Sequence, residues 1–261
     1  MFTKAIVRPP AANFYEGLTT AGLGVPDHQR ALEQHAAYCA ALEHCGLELI
    51  RLEADERYPD SCFVEDAALL IGGAGARNFA IITRPGALSR QGEVESMRQL
   101  LSEIFPSCSE IQSPGTLDGG DVCDAGTHFF IGMSERTNED GARQLAQILA
   151  SKGFTHSLVN CSGISGLLHL KSGLAYLGDN TLIVTEALAK RAEFRGYDLI
   201  QVDPGDEYAA NCIEVNGRVL IAAGYPCFEA KLHRSGYETI ALEMSEFRKM
   251  DGGLSCLSLR W

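Results

Sequence analysis

Pairs of strand-like apolar runs return along this chain at intervals of roughly 40–55 residues, and a helical pattern separates one pair from the next. Ser61–Ile71 pairs with Asn78–Arg84, with Gly72-Gly73-Ala74-Gly75-Ala76 as the loop between them. Asp121–Asp124 pairs with His128–Met133 through Ala125-Gly126-Thr127. Gly173–Tyr176 pairs with Thr181–Thr185 across Gly178-Asp179-Asn180. Asn211–Val215 pairs with Arg218–Ala222 across Asn216-Gly217, a strong two-residue hairpin signal. Two runs are left over, Thr3–Arg8 at the start and Gly253–Trp261 at the end. Pairing them makes a fifth unit, closes a ring and protects both edges.

Helical patterns cover His28–Cys45, Glu93–Ile104 and Thr137–Lys152. Asn138, three residues before Gly141, is placed to cap the last of these. The repeating unit is therefore hairpin, helix, strand, and five such units fit the length. The expectation is an α/β fold in a single domain over residues 1–261, with no linker or low-complexity break.

Composition narrows the function classes. Apolar residues make up 46% of the chain, enough for a real core. The net charge of −12 opposes binding to a phosphate backbone, so nucleic acid is not an expected partner. No window approaches the roughly 20 apolar residues of a membrane span, and no secretory signal is visible, so a cytoplasmic setting is expected. The nine cysteines include no C-x-x-C pair, which speaks for reduced thiols and against a zinc ribbon. No metal or organic cofactor is expected.

Four segments concentrate polar residues at the starts of proposed strand pairs. They are Asp60-Ser-Cys-Phe-Val-Glu65-Asp66, Thr116-Leu-Asp118-Gly-Gly-Asp121, Leu168-His169-Leu-Lys171 and Asp251-Gly-Gly-Leu-Ser255-Cys256. Cys256 follows two glycines that allow a close approach of backbone to ligand. Read alone, it is either a buried strand thiol or a nucleophile that needs a base or cation nearby. His169, in an apolar run, is either a satisfied core histidine or that base, with Asp118 able to orient it. Glu65 and Asp66 are adjacent. In a strand they point to opposite faces, so both reach one ligand only near a strand end or bulge. A carboxylate there suits a planar guanidinium.

Phe63-Val64-Glu65-Asp66, Ile82-Thr83-Arg84-Pro85-Gly86, Leu117-Asp118-Gly119-Gly120-Asp121, Arg136-Thr137-Asn138, Leu168-His169-Leu170-Lys171, Ala209-Ala210-Asn211-Cys212 and Asp251-Gly252-Gly253-Leu254-Ser255-Cys256 resemble, in order and spacing, the dimethylarginine dimethylaminohydrolase family of the pentein superfamily. The likeness runs from about residue 3 to the C-terminus. It implies a five-bladed pentein α/β propeller, with pseudo-fivefold repeats around a central active site. It implies hydrolysis of Nω-methylated L-arginine to L-citrulline and an amine.

By that resemblance Cys256 is the nucleophile, His169 the general acid/base and Asp118 its orienting partner. Asp66, helped by Glu65, holds the guanidinium; Arg84 and Arg136 bind the substrate carboxylate; Asp60 meets the α-amino group. Leu18 belongs to a lid, and Met250 and Ser255 flank the nucleophile as further substrate-binding positions. The partner is a small-molecule substrate, and a homodimer is compatible with the sequence. Deiminases of unsubstituted guanidines carry His-x-Asp where this chain has His169-Leu170-Lys171, so the resemblance favours a substituted substrate. The alternative is a hydrolase or deiminase of another guanidino or ureido amino acid. A non-catalytic, ribosome-binding pentein should lack the nucleophile and the paired acids.

Overall fold

The computed structural model describes residues 1–73 and 76–261. The chain opens with β1 (Lys4–Val7), α1 (His28–His44) and β2 (Glu48–Arg51), the last parallel to β1. Next come β3 (Ala68–Gly73), antiparallel to β4 (Ala76–Ile82), then α2 (Val94–Ile104) and β5 (Cys108–Glu110), parallel to β4. The same order gives β6 (Val122–Asp124), β7 (His128–Met133), α3 (Glu139–Ser151) and β8 (Thr155–Asn160). It gives β9 (Leu174–Tyr176), β10 (Thr181–Val184), α4 (Glu186–Ala189) and β11 (Asp198–Gln201). A fourth hairpin unit is β12 (Ile213–Val215), β13 (Arg218–Ala222), α5 (Pro226–Arg234) and β14 (Glu238–Leu242). After α6 (Ser245–Arg248) the chain ends in β15 (Leu259–Arg260), antiparallel to β1 with Ala5 opposite Arg260. The terminal runs therefore pair as expected, and five three-stranded sheets result.

These residues divide into two compact units. One comprises Met1–Val64 and Val202–Trp261 and holds sheets β15-β1-β2 and β12-β13-β14. Its core packs Tyr38, Leu42 and Leu220 with the aromatic trio Phe14, Phe63 and Phe247, whose ring centroids lie 5.6–6.3 Å apart. The other comprises Glu65–Gln201 and holds the remaining three sheets. Within it, Ile81, Phe129, Ile131 and Leu145 form one apolar cluster, and Phe130, Leu174, Leu182 and Phe194 another. In both units burial of apolar surface is the main stabilising term.

Local chemistry sets the element boundaries. Asn138 caps α3, its Oδ1 accepting from Gly141 N at 2.8 Å, and Asp27 caps α1 the same way through Arg30 N. Asn216 (φ 51°) and Gly217 (φ 91°) make the left-handed turn of the β12–β13 hairpin that the Asn-Gly pair predicts. The second helix matches the expected Glu93–Ile104 within one residue, being α-helical over Val94–Ile104 with a 3₁₀ segment, Leu88–Glu93, before it. Two strands start well after the expected boundary. The first hairpin strand starts at Ala68 instead of Ser61, and the last strand at Leu259 instead of Gly253. The reason for the two is shared. The antiparallel edge strand of each sheet is preceded by a 3₁₀ turn: Val64–Ala67, Gly119–Asp121, Leu170–Ser172, Glu207–Ala210 and Ser255–Leu257. Short i→i+3 bonds, such as Asp121 N to Asp118 O and Cys256 N to Gly253 O, take the backbone groups that a ladder would have used. The expected Gly72–Ala76 loop is shorter than read, since strand extends through Gly73 and resumes at Ala76; its tip, residues 74 and 75, lies outside the described residues.

Candidate active-site residues

All four polar segments singled out in the sequence fall in these turns or just before them, so the side chains project from tight bends and not from strand faces. Glu65 and Asp66 sit together in the Val64–Ala67 turn. The alternation argument, which would have sent them to opposite faces of a strand, does not apply to them.

Within the Glu65–Gln201 unit the centre is Asp118, which is fully buried. Its Oδ2 accepts from His169 Nε2 at 3.0 Å, and its Oδ1 accepts from Gly86 N at 2.8 Å. Asp118 N donates to Thr137 Oγ1, which in turn donates to Asp121 Oδ2. Asp121 also accepts from Ser134 Oγ and from Leu170 N, the residue after His169. Burial pushes the Asp121 carboxyl up despite these donors. Burial works against a charge on the His169 ring, but Asp66, Asp118 and Asp121 together outweigh it and raise its pKa to about 9. Its Nε2–H is committed to a carboxylate, so Nδ1 is the nitrogen available for proton transfer. A Cβ on Gly120 would lie 2.8 Å from that Nδ1 and 2.9 Å from Asp66 Oδ1, so only glycine leaves this space open.

Asp66 is held on both oxygens. Gly120 N donates to Oδ1 at 2.9 Å and Arg90 Nη1 to Oδ2 at 2.6 Å. Desolvation opposes its charge, yet His169, Arg90 and Gly120 prevail and hold its pKa near 2. Glu65 Oε1 pairs with Lys171 Nζ at 2.5 Å, both side chains largely buried. Arg84 donates to Gly115 O at 3.3 Å and stays partly exposed. Gly86 abuts the Arg136 backbone so closely that a Cβ would fall 2.2 Å from Arg136 O, which brings the two arginine-bearing segments together. Among the described residues one group has the donor atoms for a metal, namely Asp66, Asp118 and His169 within 4.8 Å of one another. Those carboxylate oxygens already accept hydrogen bonds from His169, Gly86, Gly120 and Arg90, so the group reads as a hydrogen-bonded network.

Within the other unit Cys256 lies in the Ser255–Leu257 turn and is partly exposed, neither of which a buried strand thiol would show. Gly253 N donates to its sulfur at 3.4 Å. Asn211 clamps the neighbouring residue: its Oδ1 accepts from Ser255 N at 2.9 Å and its Nδ2 donates to Ser255 Oγ at 3.1 Å. Tyr208 O–H donates to Gly252 O at 2.8 Å. Gly252 and Gly253 are required by packing: added Cβ atoms would meet the Phe63 ring at 2.3 Å and the Asn211 side chain at 2.5 Å. These protein contacts are a second reason for glycine at both positions, beside the expected approach to a ligand. Met250 is buried in this unit's core.

Asp60, also buried, accepts from Leu18 N through both oxygens at 3.2 and 3.1 Å. The Leu18 side chain is 40% exposed. The segment after it is tied down by Thr20, whose N and Oγ1 both donate to Asp251 Oδ2, and by Thr19 Oγ1 donating to Lys249 O. Sequence reasoning missed Arg90, Glu93, Asn211 and Tyr208. The motif containing Asn211 was visible, but no motif or spacing in the sequence marked Arg90, Glu93 or Tyr208.

The chain is 45% identical to the dimethylarginine dimethylaminohydrolase of Pseudomonas aeruginosa, over the full length of both proteins. It belongs to the dimethylarginine dimethylaminohydrolase family. The Streptomyces coelicolor family member is 35% identical over 98% of this chain and 96% of its own. The arginine deiminase family model matches residues 102–223. Among solved structures, the Pseudomonas aeruginosa protein as a cysteine-to-serine mutant complexed with citrulline superposes with a TM-score of 0.94, covering all of both chains. The N-terminal domain of ArgZ, a cyanobacterial arginine dihydrolase, reaches a TM-score of 0.86 at 20% identity over 98% of this chain and 97% of its own, a likeness of fold. The five three-stranded sheets are those of the pentein α/β propeller fold that this family shares. Among the described residues of this family member, no helix is long and apolar enough to cross a membrane.

Proposed function

We infer that this protein hydrolyses Nω-methylated L-arginine, both asymmetric dimethylarginine and monomethylarginine, to L-citrulline with release of dimethylamine or methylamine. The observation that carries the reading is 45% identity along the whole chain to a dimethylarginine dimethylaminohydrolase whose solved structure holds citrulline. A histidine-to-glycine variant of such an enzyme, captured as an adduct with S-methyl-L-thiocitrulline, is equally similar in sequence.

In the proposed reaction the Cys256 thiolate attacks the guanidinium carbon and forms an S–C bond. His169, protonated at neutral pH because its pKa stands near 9, gives its proton to the departing amine as the C–N bond breaks. A covalent thiouronium remains. His169 then takes a proton from water, the hydroxide attacks the same carbon, and collapse of the adduct, with loss of its hydroxyl proton to the released amine, returns the thiolate and citrulline. Such proton transfers contribute about 10²–10⁴ in rate. Asp118 holds the ring through Nε2 and favours its charged form, the role of an orienting carboxylate. Asp66 and Glu65 receive the guanidinium, Asp60 the α-amino group, and Arg84 and Arg136 the carboxylate. Leu18, Met250 and Ser255 complete the substrate contacts, and residues 1–261 act as one catalytic domain.

The test is citrulline formation from asymmetric dimethylarginine by the wild type and by Cys256→Ser, with mass detection of an adduct on Cys256. Turnover is expected only with the cysteine. Undiminished activity in the serine variant would refute the mechanism, and an inactive wild type would refute the substrate. The deiminase match over residues 102–223 favours one further reading, hydrolysis of another guanidino or ureido amino acid. A panel with arginine, citrulline analogues and guanidines lacking the α-carboxylate separates the two, because truncated substrates leave the arginine pair unsatisfied. A homodimer is proposed with this activity, and light scattering checks it.

A further inference from the structure

Arg90 belongs to the 3₁₀ segment Leu88–Glu93, which has no element of the expected catalytic machinery in it. Its side chain is nevertheless 6% exposed, between Asp66 at 4% and Glu93 at 3%. Glu93 grips the guanidinium through two parallel bonds, Nε to Oε1 at 2.9 Å and Nη2 to Oε2 at 2.8 Å. That fork fixes the plane of the group and leaves Nη1 directed at Asp66 Oδ2, 2.6 Å away. Gly120 N secures the other Asp66 oxygen. The Asp66 carboxylate is thus oriented by a donor on each oxygen.

The expense of this arrangement argues for a role in the site. Burying three charges costs desolvation that well-packed apolar residues would not, and a buried network of this kind is weak evidence for stability alone. Here the network ends on an acid whose donor atoms lie within 4.8 Å of those of Asp118 and His169. We propose that Arg90, locked by Glu93, is a positioning residue: it sets the Asp66 carboxylate so that the remaining lone pairs of Asp66 receive the substrate guanidinium, and Glu93 acts one step further back by setting Arg90. The inference rests on the methylarginine reading above. A mis-set Asp66 leaves recognition of the amino-acid end intact and spoils the alignment of the guanidinium carbon, so the loss falls on kcat more than on KM.

The charge of Arg90 carries a second consequence. His169 faces Asp66 from the Val64–Ala67 turn, Asp121 from the Gly119–Asp121 turn and Asp118 just before it, and itself precedes the Leu170–Ser172 turn that carries Lys171, which is paired to Glu65. Arg90 is the cation tied to this set of acids from the Leu88–Glu93 segment. Without its charge the acids favour the imidazolium more strongly, so the alkaline limb of the kcat profile that reports His169 moves to higher pH.

The experiment compares full-length wild type, Arg90→Lys, Arg90→Gln and Glu93→Gln on asymmetric dimethylarginine, reading kcat, KM and the pH profile, with thermal melts as a folding control. Arg90→Lys keeps the charge but not the fork. It should lose about 10–100-fold in kcat with KM within about threefold, and keep the alkaline limb in place. Arg90→Gln should lose at least as much and shift that limb upward. Glu93→Gln, the mildest change, should lower kcat several-fold and serves if the Arg90 variants do not fold. Folded variants with wild-type kcat and an unmoved pH profile overturn the positioning role while the methylarginine reading stands. A wild type inert toward methylated arginine overturns that reading, and the inference falls with it.

Discussion

At the scale of single residues, the carboxylates of this protein are defined by what already holds them. Glu65 and Asp66 were legible as a pair of acids suited to a guanidinium. What the sequence could not disclose is that each is matched to a cation of the chain itself, Lys171 for Glu65 and Arg90 for Asp66. These partners lie 106 and 24 residues away, with no local pattern to signal them. Lys171 therefore does more than replace the acid that deiminases carry two residues after their histidine. It is the charge partner of a buried glutamate. A reversal to the deiminase residue, Lys171→Asp, removes that cation and places a like charge beside Glu65. The expected result is a loss of about 3–5 kcal/mol in stability, the usual cost of breaking a buried pair, with no gain of arginine turnover. Lys171→Met keeps the stem and adds no charge, so it should lose less. Urea unfolding of both variants, with an arginine assay, decides the matter. An aspartate variant as stable as the wild type, or one that deiminates arginine, would contradict this account.

At the scale of elements, each boundary is a contest between a periodic pattern and local hydrogen bonding. Where a specific side chain settles the contest, the sequence is readable. Asn138 is such a case: its Oδ1 accepts from Gly141 N inside α3 and also from Thr116 N at 2.9 Å, in the segment leading to Asp118. One residue thus starts a helix and pins the approach to the acid. Asn138→Ala should cost about 1–2 kcal/mol, above the cap alone because a second donor loses its acceptor. A urea titration measures the loss, and a shift below about 0.5 kcal/mol would show that water replaces both bonds. The hairpins over 122–133 and 213–222 were equally legible, since turn residues fix their registers. The strands expected from Ser61 and Gly253 began late because apolar character continues through the 3₁₀ turns. Phe63, Val64, Leu254 and Leu257 are buried there just as strand residues would be. Periodicity cannot distinguish a buried turn from a buried strand over so few residues. Of the expected site residues, Glu65, Asp66, Ser255 and Cys256 sit in these same turns and Asp118 and His169 just before two of them, so the residue types were readable and their geometry was not.

At the scale of the whole molecule, several ionisable groups are held away from their ordinary states, and this makes stability depend on pH in opposing directions. Desolvation lowers the pKa of His35 to about 4 from 6.5, so its contribution is present above 6.5 and is lost as pH falls through 4. Asp66, held near 2 against 3.8, contributes above 3.8 and loses that contribution as pH falls through 2. His169 has the opposite sign. Its folded pKa of about 9 exceeds the ordinary 6.5, so the folded protein binds its proton more tightly, the stabilisation is fully present below 6.5, and it is lost as pH rises through 9. These signs predict that His169→Asn is most destabilising, relative to wild type, near pH 6 and progressively less so toward pH 9–10. Titrations of groups that do not interact with His169 occur in both proteins and cancel in the difference; Asp66 and Asp121, whose carboxyls its charge lowers, are the exceptions. Urea unfolding of both proteins at pH 6, 8 and 10 reads the trend directly. A difference that stays constant, or widens with pH, would mean that His169 is not held as an imidazolium by Asp118, Asp66 and Asp121. The proton transfer to the departing amine proposed for His169 would then have to come from another group.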